Sequence, residues 1–153
     1  MKAVLTRRLL LATPAALAAC AAPPPPPPVL DLQIFGGADQ NPDPSGKPLS
    51  VAVHVYELAN TAKFERADVF ALIEREKQTL GADSPASEEL VIAPGETRGI
   101  THPLKPDVAF VGIAVLFRDI DRAAWRAVAP VAAHGTTRLV VHVNGIKATL
   151  APA

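Results

Sequence analysis

Two stretches near the start of the mature chain switch polarity at every residue. Leu30, Leu32 and Ile34 alternate with Asp31 and Gln33, and Val51, Val53 and Val55 alternate with Ala52, His54 and Tyr56. A period of two places the two sets on opposite faces of a pleated strand, which predicts half-buried strands over Val29–Phe35 and Leu49–Leu58. Shorter runs of the same kind follow at Glu88–Ile92, Thr97–Leu104, Thr136–Val143 and Ile146–Leu150. Pro94-Gly95 and Asn144-Gly145 stand between neighbouring runs, where a type II turn and a two-residue hairpin want them. Val108–Phe117 is apolar without alternation, the pattern of a central strand buried on both faces. Ala123–Val131 adds a further strand that carries Trp125.

One region takes a helical period instead. Between residues 61 and 81, Phe64, Ala67, Phe70 with Val69, Ile73 with Leu72, and Leu80 form an amphipathic stripe. Asn60 or Thr61 can cap its start and Gly81 its end. Many strands separated by turns, with one or two short helices between the second and third, give an all-β fold: a two-sheet β-sandwich with a helical insert. The domain spans residues 29–153, and the 49% hydrophobic content of the whole chain is enough for a real core.

The first 28 residues read differently. Lys2, Arg7 and Arg8 precede an apolar run from Leu9 to Ala19. That run is well short of the roughly 20 residues a spanning helix needs, so residues 1–19 read as an export signal. The paired arginines match a twin-arginine signal only weakly, because any cationic leader can contain them. Leu17-Ala18-Ala19-Cys20 resembles the bacterial lipobox, in which small residues let a peptidase reach the backbone and the thiol takes a diacylglycerol. Cys20 is then the lipidated N-terminus, with a diacylglycerol thioether and an N-acyl chain. One acyl chain anchors only marginally and several anchor firmly. Ala21 replaces the aspartate that resembles an inner-membrane retention signal, which points to the inner leaflet of the outer membrane. Pro23 to Pro28 follow without a break. As polyproline II they make a semi-rigid spacer of roughly 19 Å, so residues 20–28 are a tether.

Composition and motifs exclude several functions. Basic and acidic side chains both number 15, which leaves no electrostatic footprint for nucleic acid. No HxxxH or HExxH pair occurs among His54, His102, His134 and His142, although His54 and His142 lie on strands and could meet across the sandwich. There is no G-x-S-x-G elbow and no phosphate-cradling glycine loop. Asp119 and Asp121, flanked by Arg118 and Arg122, read as an ion-pair corner before they read as an acid/base pair. Trp125 could stack a sugar, so a periplasmic carbohydrate- or small-ligand-binding lipoprotein is the alternative reading. No catalytic residue, metal or cofactor is predicted beyond the lipid.

The connection between the first two strands contains Asp39, Gln40, Asn41, Pro42, Asp43, Pro44, Ser45, Gly46, Lys47 and Pro48. Counted from Asp39 as a calcium loop, Asn41 and Asp43 fall correctly, but Pro44 and Ser50 occupy the places of the obligatory glycine and the closing glutamate. Calcium is therefore excluded, and the loop is longer than a hairpin requires.

Several segments together resemble the TssJ (SciN/VasD) family, the outer-membrane lipoproteins of the type VI secretion system. Asn41-Pro42-Asp43 with Gly46 and Pro48 looks like the family's N-P-D-x-x-G-x-P loop. Val53-His54-Val55-Tyr56-Glu57-Leu58 looks like its V-R-V-Y-Q-L strand, with His54 in place of an arginine. Phe64, Ala67-Asp68, Phe70, Leu72 and Leu80-Gly81-Ala82-Asp83 look like its helical insert. Pro94-Gly95-Glu96, Phe117-Arg118-Asp119 and Trp125-Arg126 complete the set. The resemblance implies a transthyretin-like sandwich and no enzymatic activity. It also implies binding of the periplasmic C-terminal region of TssM, with contact through the loop Asp39–Pro48. No small-molecule substrate follows from it.

Overall fold

The computed structural model describes residues 22–153; the leader 1–19 and Cys20 lie outside the described residues. The alternating stretches become eight strands: β1 (Pro28–Gly36), β2 (Val51–Leu58), β3 (Ala86–Ile92), β4 (Thr97–Pro103), β5 (Phe110–Leu116), β6 (Arg126–Pro130), β7 (Gly135–Asn144) and β8 (Lys147–Pro152). They form two four-stranded sheets, ordered β4-β1-β7-β8 and β3-β2-β5-β6. Every pairing is antiparallel except β1 with β7.

The period-two pattern decides what lies between the sheets. Leu30, Leu32 and Ile34 of β1 face Val51, Val53 and Val55 of β2, joined by Val111, Ile113 and Val115 of β5 and by Leu139, Val141 and Val143 of β7. All are buried. β5 is an inner strand, and Ala114 on its other face is buried too, as its unbroken apolar run requires. The hairpin after β7 differs from expectation by one residue. Asn144 still pairs with Lys147, so the turn residues are Gly145 and Ile146, with Gly145 in the left-handed region at φ 55°. Glycine at the first turn position suits a type II′ hairpin.

β3 and β4 belong to different sheets, so the Pro94-Gly95 turn carries the chain across the sandwich. The turn has the expected Gly95 at φ 76°, and Glu96 N donates to Ala93 O. It sits on the end of β1 through Gly95 N to Gly36 O and Gly36 N to Glu96 O. A Cβ on Gly36 would meet Ala93 O at 2.6 Å, so the close approach excludes any larger residue. At the far edges, Ala124 N donates to Ile146 O and Ala148 N to Ala124 O, bringing the start of β6 against β8. Between β3 and β4 the sandwich stays open as a crevice of about 210 Å³ lined in part by Glu57, Glu88 and His102. There Glu57 of β2 bonds His102 of β4 at 2.8 Å and ties the two sheets.

His54 and His142 do not meet across the sandwich. His54 lies beside Glu89 on its own sheet at 3.1 Å, and His142 stacks on Phe35 at 5.2 Å on the other sheet. Each side chain has the strand parity that points away from the shared core, which removes the expected encounter.

The insert covers the outer face of the second sheet. It contains α1 (Ala62–Arg66), α2 (Val69–Glu74), α3 (Glu76–Thr79) and a 3₁₀ turn over Gly81–Asp83. Asn60 Oδ1 accepts from Ala62 N, and Gly81 follows the helices at φ 56°, as the capping pattern predicts. Phe64, Leu72 and Leu80 pack with Tyr56, Leu58 and Ala114 into a second apolar cluster. Tyr56 donates its hydroxyl to Leu72 O at 3.2 Å, and burial pushes its pKa above the usual range. Arg126 Nη1 donates to Phe64 O and Ala67 O and pins the break between α1 and α2 to β6.

The predicted stripe fails at Phe70. Ala67 is extended, and Asp68 restarts the helix by accepting Ala71 N at its Oδ1. That restart resets the helical phase, so Val69 and Leu72 turn inward while Phe70 is 53% exposed.

Gly112 lies directly under the insert, where a Cβ would meet Leu58 and Phe64 side-chain carbons at 2.9 Å. Gly112→Ala is expected to lower stability by about 1–3 kcal/mol through overpacking. Urea unfolding followed by circular dichroism checks this.

Candidate docking site

β1 leads straight from the proline tether into the loop singled out by its sequence. Residues 38–49 of that loop fall into two parts with different physics. Gln40 and Asn41 form a buried base, fully covered and 6% exposed respectively. Gln40 Nε2 donates to Ile92 O at 2.8 Å and to Leu49 O at 3.2 Å. Asn41 Nδ2 donates to Ser50 O, its Oδ1 accepts Arg118 N at 2.8 Å, and its own amide donates to Gly145 O. These bonds collect the start of β2, the end of β3, the β5–β6 connection and the β7–β8 turn. Asn41 sits at φ 47°, a region that asparagine tolerates better than most residues.

The tip is Pro42 to Pro48. Asp43 Oδ1 accepts three bonds, from Ser45 N at 2.8 Å, Ser45 Oγ at 2.6 Å and Lys47 N at 2.9 Å. Asp43 N also donates to Lys47 O, and Gly46 adopts φ 86° so that its amide can reach Asp43 O. The Ser45 hydroxyl first, then the Lys47 and Ser45 amides, hold the Asp43 carboxyl below its usual pKa. The tip is thus a small turn closed on itself, with Pro44, Ser45, Gly46 and Lys47 exposed to solvent. Asp39, before the base, is exposed as well.

This division changes the role expected for two loop residues. Gln40 and Asn41 do not present their side chains outward, because both are buried, with their NH2 groups donated to carbonyls of the sandwich. Asn41 Oδ1 is taken by the Arg118 amide, and Gln40 Oε1 is enclosed without a partner among the described residues. What the loop offers outward is Asp39 and the tip.

Of the residues of the alternative reading, Trp125 and Asp121 line one shallow crevice, and Asp119 stands outside it. Arg122 bonds Asp119 through both Nε and Nη2, holding the Asp119 carboxyl below its usual range, while Asp121 stands exposed. Trp125 is partly buried against both apolar clusters, and Arg126 lies over its ring at 4.7 Å. With Arg126 over one face of Trp125 and the ring packed against both apolar clusters, a sugar has no free indole face to stack on. Among the described residues, no group of three His, Cys, Asp or Glu is placed to hold a metal ion.

A family model for type VI secretion lipoproteins (VasD, EvfM, TssJ) matches residues 28–145, from β1 through the turn that follows β7. The chain belongs to the type VI secretion lipoprotein family.

Solved structures agree with this TssJ-family membership. The T6SS lipoprotein TssJ1 from Pseudomonas aeruginosa superposes with a TM-score of 0.81 at 30% identity, covering 84% of this chain and 98% of that one. A chain from a structure of a type VI membrane complex matches with a TM-score of 0.72 at 30% identity, covering 81% and 98%. One from a structure of the T6SS protein TssM C-terminal domain from EAEC matches with a TM-score of 0.69 at 28% identity, covering 82% and 98%. No curated protein sequence matches significantly.

The N-P-D-x-x-G-x-P pattern of TssJ lipoproteins acquires a physical meaning in this loop. Asn41 is the peg, Asp43 closes the turn, and Gly46 supplies its left-handed residue. The base role of Gln40 carried no sequence signal, since its main partner Ile92 lies 52 residues away.

Base and tip should respond differently to substitution. Gln40→Ala strands two carbonyls and leaves a void, with an expected loss of roughly 2–4 kcal/mol in urea unfolding. Asp43→Ala is expected to leave the urea unfolding midpoint unchanged while amide exchange at Ser45 and Lys47 accelerates. Because the folded pKa of Asp43 is depressed, its contribution to tip order is complete above the ordinary aspartate value of about 3.9. It is lost as pH falls through the lower folded value, so amide exchange at those positions, corrected for intrinsic rates, should rise at the acid end.

Proposed function

We propose that this protein is a non-enzymatic lipoprotein on the periplasmic face of the outer membrane. It holds the periplasmic C-terminal region of TssM through the loop tip Asp43–Lys47, flanked by Asp39, and so links the secretion machine to that membrane. Cys20 carries the lipid, and residues 22–27 form the exposed spacer ahead of β1. The observation that carries this reading is the placement of tether and tip at opposite ends of β1. That strand is nine residues long, about 30 Å at the usual strand rise. A chain anchored at Pro28 therefore directs the tip away from the lipid surface.

The chemistry of the tip supports a protein partner. Pro42, Pro44 and Pro48 and the three bonds to Asp43 limit its freedom before binding, so less conformational entropy is lost on docking. The lipid confines the protein to one surface and raises its effective concentration there. The likeness to chains from structures of the TssM C-terminal domain and of a type VI membrane complex supports the choice of partner.

The test must spare the buried base. Replacing Asp43–Lys47 by two glycines keeps Gln40 and Asn41, and the variant is expected to fold yet lose TssM pull-down at least tenfold. Retention of TssM by that folded variant would sink the assignment. For the anchor, Cys20→Ser is expected to move the protein from the membrane fraction to the soluble periplasmic fraction. Persistent sedimentation with outer membranes would count against lipidation at this cysteine.

A further inference from the structure

The restart of the insert at Asp68 leaves an unusual neighbourhood on the outer face of the second sheet. Phe70, 53% exposed, projects from a helix whose Val69, Ala71 and Leu72 are buried. Beside it opens a shallow crevice of about 310 Å³, lined by Val69, Phe70, Ile120 and Trp125 together with the carboxylates Asp68 and Asp121. No lysine or arginine lines it. Arg122 is bound to Asp119, and Arg126 donates to the carbonyls of Phe64 and Ala67. Asp121 accepts no hydrogen bond and joins no ion pair among the described residues, and Asp68 uses Oδ1 to cap α2. The crevice therefore combines partly uncovered aromatic surface with two carboxylates, against one flanking guanidinium, Arg126, whose bonds are to neutral carbonyls.

We propose that this crevice is a second protein-docking surface. It receives a segment of another protein in which a lysine or arginine stands beside an aliphatic or aromatic side chain. The apolar side chain covers Phe70 and the exposed part of Trp125, and the cation meets Asp121 and the outer oxygen of Asp68. Charge selects the occupant: an acidic segment would bring like charges together in a site that already holds two. Arg126 over the Trp125 ring disfavours a stacked sugar. The crevice and the loop use different residues. Both meet the β5–β6 connection, the crevice at Ile120, Asp121 and Ala123 and the loop base at the Arg118 amide, which bonds Asn41. The inference holds whichever protein the tip binds.

Trp125 is the only tryptophan in the chain and lines this crevice, so a single fluorophore reports on its occupancy. The mature lipoprotein in detergent is titrated with two capped pentapeptides, one alternating leucine with lysine and one alternating leucine with glutamate. The lysine peptide is expected to shift the emission saturably, and the glutamate peptide to bind at least tenfold more weakly. Isothermal titration with Phe70→Ala and Asp121→Lys should show at least tenfold weaker binding of the lysine peptide, with circular dichroism unchanged. Both positions are exposed, so the fold does not depend on them; Asp68 is left intact because it caps α2. Equal binding of both peptides, no saturable shift with either, or undiminished binding by the two variants overturns the proposal. So does a shift that grows with protein concentration alone and coincides with a dimer in sedimentation, which would make a second copy of this chain the occupant.

Discussion

Two adjacent side-chain amides, Gln40 and Asn41, hold the loop end of the sandwich in register. Between them the side chains reach the end of β3, the start of β2 and the second residue after β5, and the Asn41 backbone amide adds the turn after β7. Backbone groups at the ends of strands have no ladder partner, and burying them unpaired costs about as much as a lost hydrogen bond each. Here the unpaired groups of four elements are satisfied from one place. In a medium of low dielectric such bonds gain strength together and fail together. The exposed tip can vary above this base without disturbing the packing of Leu30, Leu32 and Ile34 below it.

The insert solves a different problem on the other side of the molecule. Tyr56, Leu58 and Ala114 give the second sheet an apolar outer face that cannot be left to water. Phe64, Leu72 and Leu80 cover it from above, and Gly112 makes room for the approach. The break at Ala67 and the Asp68 cap let three short helices follow the sheet where one straight helix would diverge from it. The displaced Phe70 is the consequence of that fit, and it is what gives this face its exposed aromatic surface.

Most of the strand framework could be read in the chain because it depends on local alternation. The core positions of β1, β2 and β7 follow from period two alone, and the continuous run of β5 correctly marks a strand enclosed on both faces. The tip was legible as well, since Asp43 and Gly46 bond within five residues. The base was not, because the partners of Gln40 and Asn41 at Ile92 and Arg118 lie 52 and 77 residues away. Composition made those amides look like surface. Glu57 was hidden for the same reason: strand parity places it inward, but only the meeting of β2 with β4 supplies His102 to receive it. Phe70 was misassigned because one helical phase was carried through Ala67-Asp68, although aspartate before an apolar run is itself a start signal.

The course of β1 has a mechanical consequence. The proline segment and the loop Asp39–Pro48 are its two immediate continuations, so in the proposed arrangement tension between a membrane and a partner on the tip enters the sandwich along this one strand. That strand is already nearly fully extended and has almost no slack to release. Its neighbours β4 and β7 grip it from both sides along its length, and they fix the direction of the pull without having to transmit it. The sandwich acts as a rigid sleeve around a taut cable, and a pulling force of this kind has no strand to peel away.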